Sequence, residues 1–208
     1  MARNLEAMPP AALFDHVIRL LRARDSAAAQ WLPRLEQHMN YAPGWLALGE
    51  VMEAAQEPGA ARLAYQRAAA APAAASPVLH RAGQGLARLG FVEAAADSFR
   101  RVLAADPASS AAWYSLGLAL QDLRNFPMAA EAFREAIRLR PDFHEAALNA
   151  GIAWQEAGEM EAALDAYAAS YRLRPESFGR IAQALIAAPC GRLYLRPSAL
   201  RTVLMARA

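Results

Sequence analysis

The feature that most constrains this chain is a sequence repeat with a period of 34 residues and no insertions. Three positions of the repeat are filled four times in succession, by glycine, by alanine and by an aromatic residue. These columns are Gly49, Gly83, Gly117 and Gly151; Ala61, Ala95, Ala129 and Ala163; and Tyr65, Phe99, Phe133 and Tyr167. Self-similarity at a fixed period of this length is typical of folds in which one small unit stacks on the next.

Each repeat contains two stretches in which apolar residues recur at helical spacing. In the third copy the first stretch holds Trp113, Leu116 and Leu120, and the second holds Ala129 and Phe133. Residues three or four apart share one face of a helix. The composition agrees, because 54 of the 208 residues are Ala and only 11 are Val or Ile, and Ala loses no side-chain entropy in a helix. We therefore expect an all-α protein with two helices in each repeat.

The repeated columns have a physical explanation in helix packing. Gly117 and Ala129 are small where the two helices of a pair must approach closely, and Phe133 fills the space that they leave. Pro141 follows the second helix and disfavours helix at Arg140. The next repeat then begins.

The pattern resembles the tetratricopeptide repeat (TPR), whose signature is W-x2-L-G-x2-Y, then A-x3-F, then P. The matching residues of the third copy are Trp113, Leu116, Gly117, Ala129, Phe133, Ala136 and Pro141, with Leu120 in place of the Tyr. The resemblance covers 42–177 as four repeats, 42–75, 76–109, 110–143 and 144–177. It implies an α-solenoid, a right-handed superhelix of antiparallel helix pairs with a concave groove.

The N-terminal flank resembles a degenerate repeat. Residues 1–41 carry Phe14, Ala27 and Trp31 in the repeat register, but Pro33 falls inside the expected second helix. We expect this segment to form a degenerate helix pair before the four regular repeats.

The C-terminal flank, 178–208, is expected to form capping helices with a basic tail. One helix is predicted over 176–188, and a last helix from Pro197 through the apolar residues Leu200, Val203 and Leu204. All 20 acidic residues and 17 of the 22 basic ones lie in 1–176, so that this part carries −3 and the remainder +5. A cap over the last repeat explains the apolar face of this last helix. The alternative is that the tail contacts an acidic partner or an anionic membrane.

Composition excludes several chemistries. All 22 basic residues are Arg and none is Lys, which rules out phosphate loops, protein kinases and Schiff-base enzymes that need a Lys. Gly83, Gly85 and Gly90 do not complete a dinucleotide fingerprint, since Arg88 stands where a Gly is required. The four histidines have no spacing typical of metal ligands, and Cys190 has no nearby partner for catalysis. We expect no enzyme activity, no cofactor and no metal.

The expected location is the cytoplasm. A single Cys cannot form an internal disulfide, which suits a reducing compartment. The N-terminus lacks the layout of a signal peptide, and no apolar run reaches the roughly 18–20 residues of a membrane span. The Ala and Arg excess points to a GC-rich, bacterial source. Nucleic acid is not an expected partner, because the surplus of positive charge is confined to the tail.

In TPR proteins the first helix of each repeat lines the concave groove, so the resemblance implies a set of partner-binding residues. In the first two repeats these are Leu46, Glu50, Glu53, His80, Arg81, Gln84 and Arg88. In the last two they are Tyr114, Ser115, Leu118, Gln121, Asn149, Ile152 and Gln155. The carboxylate clamp of chaperone-binding members is absent, and only Asn149 matches an asparagine ladder. A basic patch beside an apolar and amide stretch suits a peptide with an acidic end and apolar anchors.

The resulting hypothesis is a non-catalytic protein-interaction module, an adaptor, assembly factor or co-chaperone that binds a partner segment in the groove. The alternative is a targeting or regulatory subunit of a separate enzyme, such as a glycosyltransferase or methyltransferase.

Overall fold

The computed structural model describes residues 8–187 and 197–207, without the side chain of Ala187. In these residues the chain forms twelve α-helices, two short 3-10 turns and no strand, so the all-α prediction is confirmed. The helices are α1 Pro10–Arg22, α2 Ala28–Leu35, α3 Ala42–Ala54, α4 Pro58–Ala70, α5 Ser76–Arg88, α6 Val92–Ala105, α7 Ser110–Asp122, α8 Phe126–Leu139, α9 His144–Glu156, α10 Met160–Leu173, α11 Phe178–Ala187 and α12 Pro197–Ala206. The 3-10 turns are Glu36–His38 and Pro175–Ser177.

The chain divides into two compact halves, 1–105 and 106–208, called the N-terminal and C-terminal halves below. In the N-terminal half, α3 packs on α4 and α5 on α6, α4 contacts α5, and α1 lies against α3. In the C-terminal half, α7 packs on α8 and α9 on α10, with α8 against α9. Each half therefore consists of consecutive helix pairs.

The aromatic and small columns form the core of each pair, as predicted. The four alanines Ala61, Ala95, Ala129 and Ala163 are fully buried, and so are the rings of Tyr65, Phe133 and Tyr167. A Cβ on Gly117 would lie 2.5 Å from the Phe133 ring, and one on Gly49 would lie 2.6 Å from the Tyr65 ring. Glycine is required at these positions because the aromatic ring occupies the space in which a Cβ would lie.

The turn between the two helices of a repeat has one backbone geometry in every copy. Gln56, Gly90, Arg124 and Gly158 all have a positive φ, of 60°, 82°, 58° and 87°. In the third copy the Arg124 amide donates to the Gln121 carbonyl and the Asn125 amide to the Leu120 carbonyl, at 2.9 and 2.8 Å. This is the Schellman arrangement, which satisfies the last carbonyls of a helix and reverses the chain.

The N-terminal flank departs from the regular repeat in its second helix. Phe14 of α1 is buried and packs edge-on against Trp45 at a centroid distance of 5.1 Å. Ala27, however, precedes α2, and its neighbour Ala28 is the buried residue. Helix α2 has only eight residues, with Pro33 inside it. Proline has no amide hydrogen to continue the helical bonds, so α2 ends soon afterwards.

The C-terminal flank carries the predicted capping helix. Helix α12 packs on α10, and its Leu200 and Leu204 join a buried cluster with Leu164, Ile181 and Leu185. Val203 is half-buried. The preceding helix, predicted over 176–188, is α11, and Cys190 lies outside the described residues. Within the described ranges, no helix has the length and apolarity to span a bilayer.

Candidate functional site

The predicted groove residues of the N-terminal half lie on α3 and α5, two consecutive first helices. Two acidic residues on α3 face two arginines on α5. Arg88 donates through Nε and Nη2 to the two carboxylate oxygens of Glu53, each at 2.8 Å. Arg81 also forms an ion pair with Glu50, but through one nitrogen only, Nη2. The exposed surface of these helices is therefore crossed by two ion pairs.

The Glu53 carboxylate is the centre of a three-residue network. Besides the two bonds from Arg88, it accepts a hydrogen bond from the Tyr65 hydroxyl of α4 at 2.5 Å. The bonds from Arg88, opposed by desolvation and aided by the Tyr65 bond, lower the pKa of Glu53 to about 2. Burial, with the adjacent Glu53 charge, raises the pKa of Tyr65. Glu53 is thus ionised and Tyr65 neutral at physiological pH, and both side chains are held in one position.

These pairs correct the expectation of a basic patch at His80, Arg81 and Arg88. Arg88 is neutralised by Glu53, and Arg81 by Glu50. Burial lowers the pKa of His80, whose ring stands edge-on against Phe99 at 5.5 Å, so the imidazole is neutral at pH 7. The sequence placed both glutamates and both arginines in the groove but not their pairing, because each pair joins residues 31 or 35 positions apart.

In the C-terminal half, the predicted groove residues lie on α7 and α9. Tyr114 is half-buried, and its hydroxyl accepts a hydrogen bond from the Asn149 side-chain amide at 3.1 Å. The Tyr114 ring also packs against Phe143 at a centroid distance of 4.6 Å. Burial and the charge of Glu145 raise the pKa of Tyr114, so it stays a neutral phenol. Ser115, Leu118 and Ile152 share this partly exposed face.

Two predicted groove residues are instead buried. Leu46 is 4% exposed, on the helix against which α1 packs. Gln155 is 1% exposed. Its Oε1 accepts from the Tyr167 hydroxyl at 2.7 Å, and its Nε2 donates to the Ala184 carbonyl of α11 at 3.0 Å. The Gln155 amide therefore ties three helices together, and neither residue is available to a ligand.

Gln121 occupies the position of Gln155 one repeat earlier and differs in its environment. Its Oε1 is buried and has no hydrogen-bond partner among the described residues. The aromatic residue twelve positions later is Phe133, which has no hydroxyl to donate. Gln121 is thus a partly buried polar side chain with one unsatisfied acceptor.

Sequence reasoning missed Ile186 of α11, which is 66% exposed. It follows Leu118 and Ile152 in the same 34-residue column, and that column was the signal that could have found it. In the described ranges, 8–187 and 197–207, no cluster of three or more His, Cys, Asp or Glu side chains could hold a metal ion.

Comparison with known proteins identifies the repeat. The sequence model described as tetratricopeptide repeat matches residues 80–121 and 116–178. A comparison with curated protein sequences gives no match.

Solved structures show the same fold. The crystal structure of MamA is 20% identical with a TM-score of 0.60, over 79% of this chain and 90% of MamA. MamA from Desulfovibrio magneticus RS-1 is 20% identical with a TM-score of 0.59, over 81% of this chain and 97% of that one. YrrB, described as a TPR protein with an unusual peptide-binding site, is 18% identical with a TM-score of 0.63, over 84% of this chain and 89% of YrrB. The match of the sequence model, together with the recurring spacing of the glycine, alanine and aromatic columns, shows that this chain contains tetratricopeptide repeats.

Proposed function

We propose that this protein is a non-catalytic adaptor, assembly factor or co-chaperone that binds segments of partner proteins on its first-helix faces. The observation that carries the proposal is the preformed face of α7 and α9, where Asn149 and Phe143 hold the Tyr114 ring in place. A side chain that is already ordered loses little conformational entropy on binding, which favours affinity. A peptide-binding site in the similar protein YrrB is consistent with this use of the fold.

The face of α3 and α5 supports a separate contact with an acidic group. Arg81 and Glu50 are 60% and 40% exposed, and exposed ion pairs contribute only about 0–1 kcal/mol. A partner carboxylate can therefore replace Glu50 on Arg81 at small cost. Arg88 is less exchangeable, because Glu53 holds it through two bonds and is itself held by Tyr65.

Pull-down from native cell extract tests the proposal with three variants. Arg81→Glu reverses the exchangeable cation, and Tyr114→Phe removes only the hydroxyl that Asn149 orients. Arg100→Glu is the matched control, since Arg100 is an exposed arginine of α6 that pairs with Asp97. We expect at least one partner to be lost with Arg81→Glu or Tyr114→Phe and retained with Arg100→Glu. Equal partner sets for the wild type and all three variants would contradict the proposal.

The identity of the lost partner separates the two roles. A non-enzymatic partner supports the adaptor role, whereas a glycosyltransferase, methyltransferase or other enzyme supports a targeting or regulatory subunit. We propose the cytoplasm as the location, which fractionation of the native cells tests directly.

A further inference from the structure

The ninth position of the repeat changes character between the two halves of the chain. In the N-terminal half this column holds Glu50 and Gln84. In the C-terminal half it holds Leu118, Ile152 and Ile186, one on each of the helices α7, α9 and α11. We call these three residues the apolar ladder. An aliphatic side chain at the same place on three successive first helices makes that part of the surface apolar. The repeat signature does not require an apolar residue at this position.

The apolar ladder is exposed at its first and last residues. Leu118 is 37% and Ile186 is 66% accessible to solvent, and Ile152 is half-buried against the core of the C-terminal half. The three helices are joined directly, by the bond from Asn149 to Tyr114 between α7 and α9 and by the bond from Gln155 to Ala184 between α9 and α11. The ladder is therefore a preformed row of apolar side chains that the described residues leave at least partly exposed.

A row of negative charge runs beside the ladder. Asp122 and Glu156 are the last residues of α7 and α9, one helical turn beyond Leu118 and Ile152 on the same helix faces. Neither carboxylate has an ion-pair partner within 8–187 and 197–207. Both stand at the negative end of a helix dipole, where a cation is favoured and an anion is not.

The other charges near this face are of both signs. Glu145 and Arg180 both lie close enough to influence the Tyr114 hydroxyl, and Glu145 contacts the ring of His144 at 2.9 Å. Arg140 also lies over the Phe143 ring that packs on Tyr114, so the negative charge of this face is local to Asp122 and Glu156, at the ends of α7 and α9. The face of α3 and α5, by contrast, has its charges paired.

We propose that the apolar ladder binds a basic amphipathic helix of a partner protein, with its apolar residues at heptad spacing. The inference rests on the proposed function and names the partner chemistry for the C-terminal half. Residues i and i+7 of a helix lie about 10.5 Å apart along its axis, a spacing comparable to that between neighbouring helices, which is about 8–10 Å where they pack closely. One apolar side chain per heptad thus meets one rung of the ladder. Lys or Arg on the adjoining helix face meets Asp122 and Glu156, where it compensates both the carboxylates and the helix dipoles.

The probe is a synthetic Ala-based helical peptide of about 18 residues, with Leu at every seventh position and Lys on the adjoining face, long enough to reach three rungs. Fluorescence anisotropy measures its binding to the full chain. We expect the double variant Leu118→Ser with Ile186→Ser to weaken binding about tenfold or more, since two apolar contacts are removed. Asp122→Asn with Glu156→Gln should weaken binding several-fold at low salt, and less at high salt. Both substitutions of the ladder are at exposed positions, and circular dichroism melts check that the fold is retained.

Matched controls separate this inference from the proposed function. Leu63→Ser removes an exposed apolar side chain of α4 in the N-terminal half, outside the first-helix faces, and should leave the affinity unchanged. A twin peptide with Glu in place of Lys should bind at least about tenfold more weakly. Equal binding of the two peptides, or no effect of the ladder variant, overturns the basic-helix assignment. If Arg81→Glu or Tyr114→Phe still abolishes capture of a partner from the cell extract, the proposed function stands even though the basic-helix assignment is wrong. A self-associating chain that becomes monomeric in the ladder variant would also overturn it, because a second copy would then be the occupant.

Discussion

The two tyrosines of the aromatic column have hydrogen-bond acceptors twelve residues earlier in the chain. Tyr65 donates to Glu53, and Tyr167 donates to Gln155. In the second repeat, Phe99 stands in the aromatic column and Ala87 in the acceptor column, so neither hydroxyl nor acceptor is present. The third repeat combines Phe133 with Gln121, and the Gln121 Oε1 is buried without a partner. The aromatic column is thus coupled to a second column that the repeat signature does not contain.

Phe133→Tyr is expected to stabilise the protein by about 0.5–1.5 kcal/mol, because the new hydroxyl can donate to the buried Gln121 oxygen. The control is Phe99→Tyr, which places the same hydroxyl opposite Ala87, where this acceptor is missing. Urea unfolding of both variants measures the difference. A Phe133→Tyr variant that is no more stable than Phe99→Tyr would contradict the pairing.

Glu53 makes stability depend on pH in the acidic range. Its pKa in the folded protein, about 2, lies below the ordinary value of 4.5 for a glutamate, so its contribution to stability is complete above about pH 5 and is lost as the pH falls towards 2. With its partial exposure taken into account, we expect Glu53→Gln to cost roughly 1–2 kcal/mol at pH 7 and much less at pH 3. Thermal melts of wild type and variant at the two pH values provide the measurement. An equal loss at both would mean that the Arg88 and Tyr65 bonds do not depend on the charge.

Helix pairs are joined by turns whose backbone requires a left-handed residue. Gly90 and Gly158 adopt this conformation without strain, whereas Gln56 and Arg124 hold a side chain there. This conformation costs a residue with a Cβ roughly 1–2 kcal/mol of stability. Glycine avoids that cost, but part of the benefit is offset because glycine loses more backbone entropy on folding. The turn column tolerates different residues because the Schellman bonds, and not the side chain, define it.

Arg124→Gly should therefore raise stability by about 0.5–1 kcal/mol. The reverse change in the neighbouring repeat, Gly158→Ala, should lower it by a similar amount. Differential scanning calorimetry of both variants tests the pair. The strain argument fails if Arg124→Gly is destabilising, since Arg124 would then contribute through its contact with the Phe126 ring at 5.2 Å.

Helix α12 shows how a basic segment is used within its own half. Arg207 pairs with both Glu161 and Asp165 of α10, and Arg201 lies over the Phe178 ring at 4.6 Å. Leu200 and Leu204 are buried beside them. Two arginines of the basic tail, Arg201 and Arg207, therefore help to hold a capping helix on the last regular pair.

At the scale of the whole molecule, each half presents a different first-helix face. The N-terminal half has paired charges at Glu50, Glu53, Arg81 and Arg88. The C-terminal half has the apolar ladder beside Asp122 and Glu156, which have no ion-pair partner in the part of the chain that the structure describes. A uniform fold therefore carries two surfaces of different chemistry, which suits a protein whose repeats are kept for packing and varied for recognition.

The sequence alone determined the helices, their pairing and the core, because these follow from local periodicity and from small residues that recur where an aromatic ring must fit. Tertiary structure decided which first-helix residues remain available. Leu46 and Gln155 lie at groove positions by spacing but are buried, since α1 packs on α3 and α11 accepts the Gln155 bond. The charge of Arg88 is likewise cancelled by a residue 35 positions away. Accessibility and net charge depend on neighbours that the chain brings together only by folding, and a repeat signature contains no record of them.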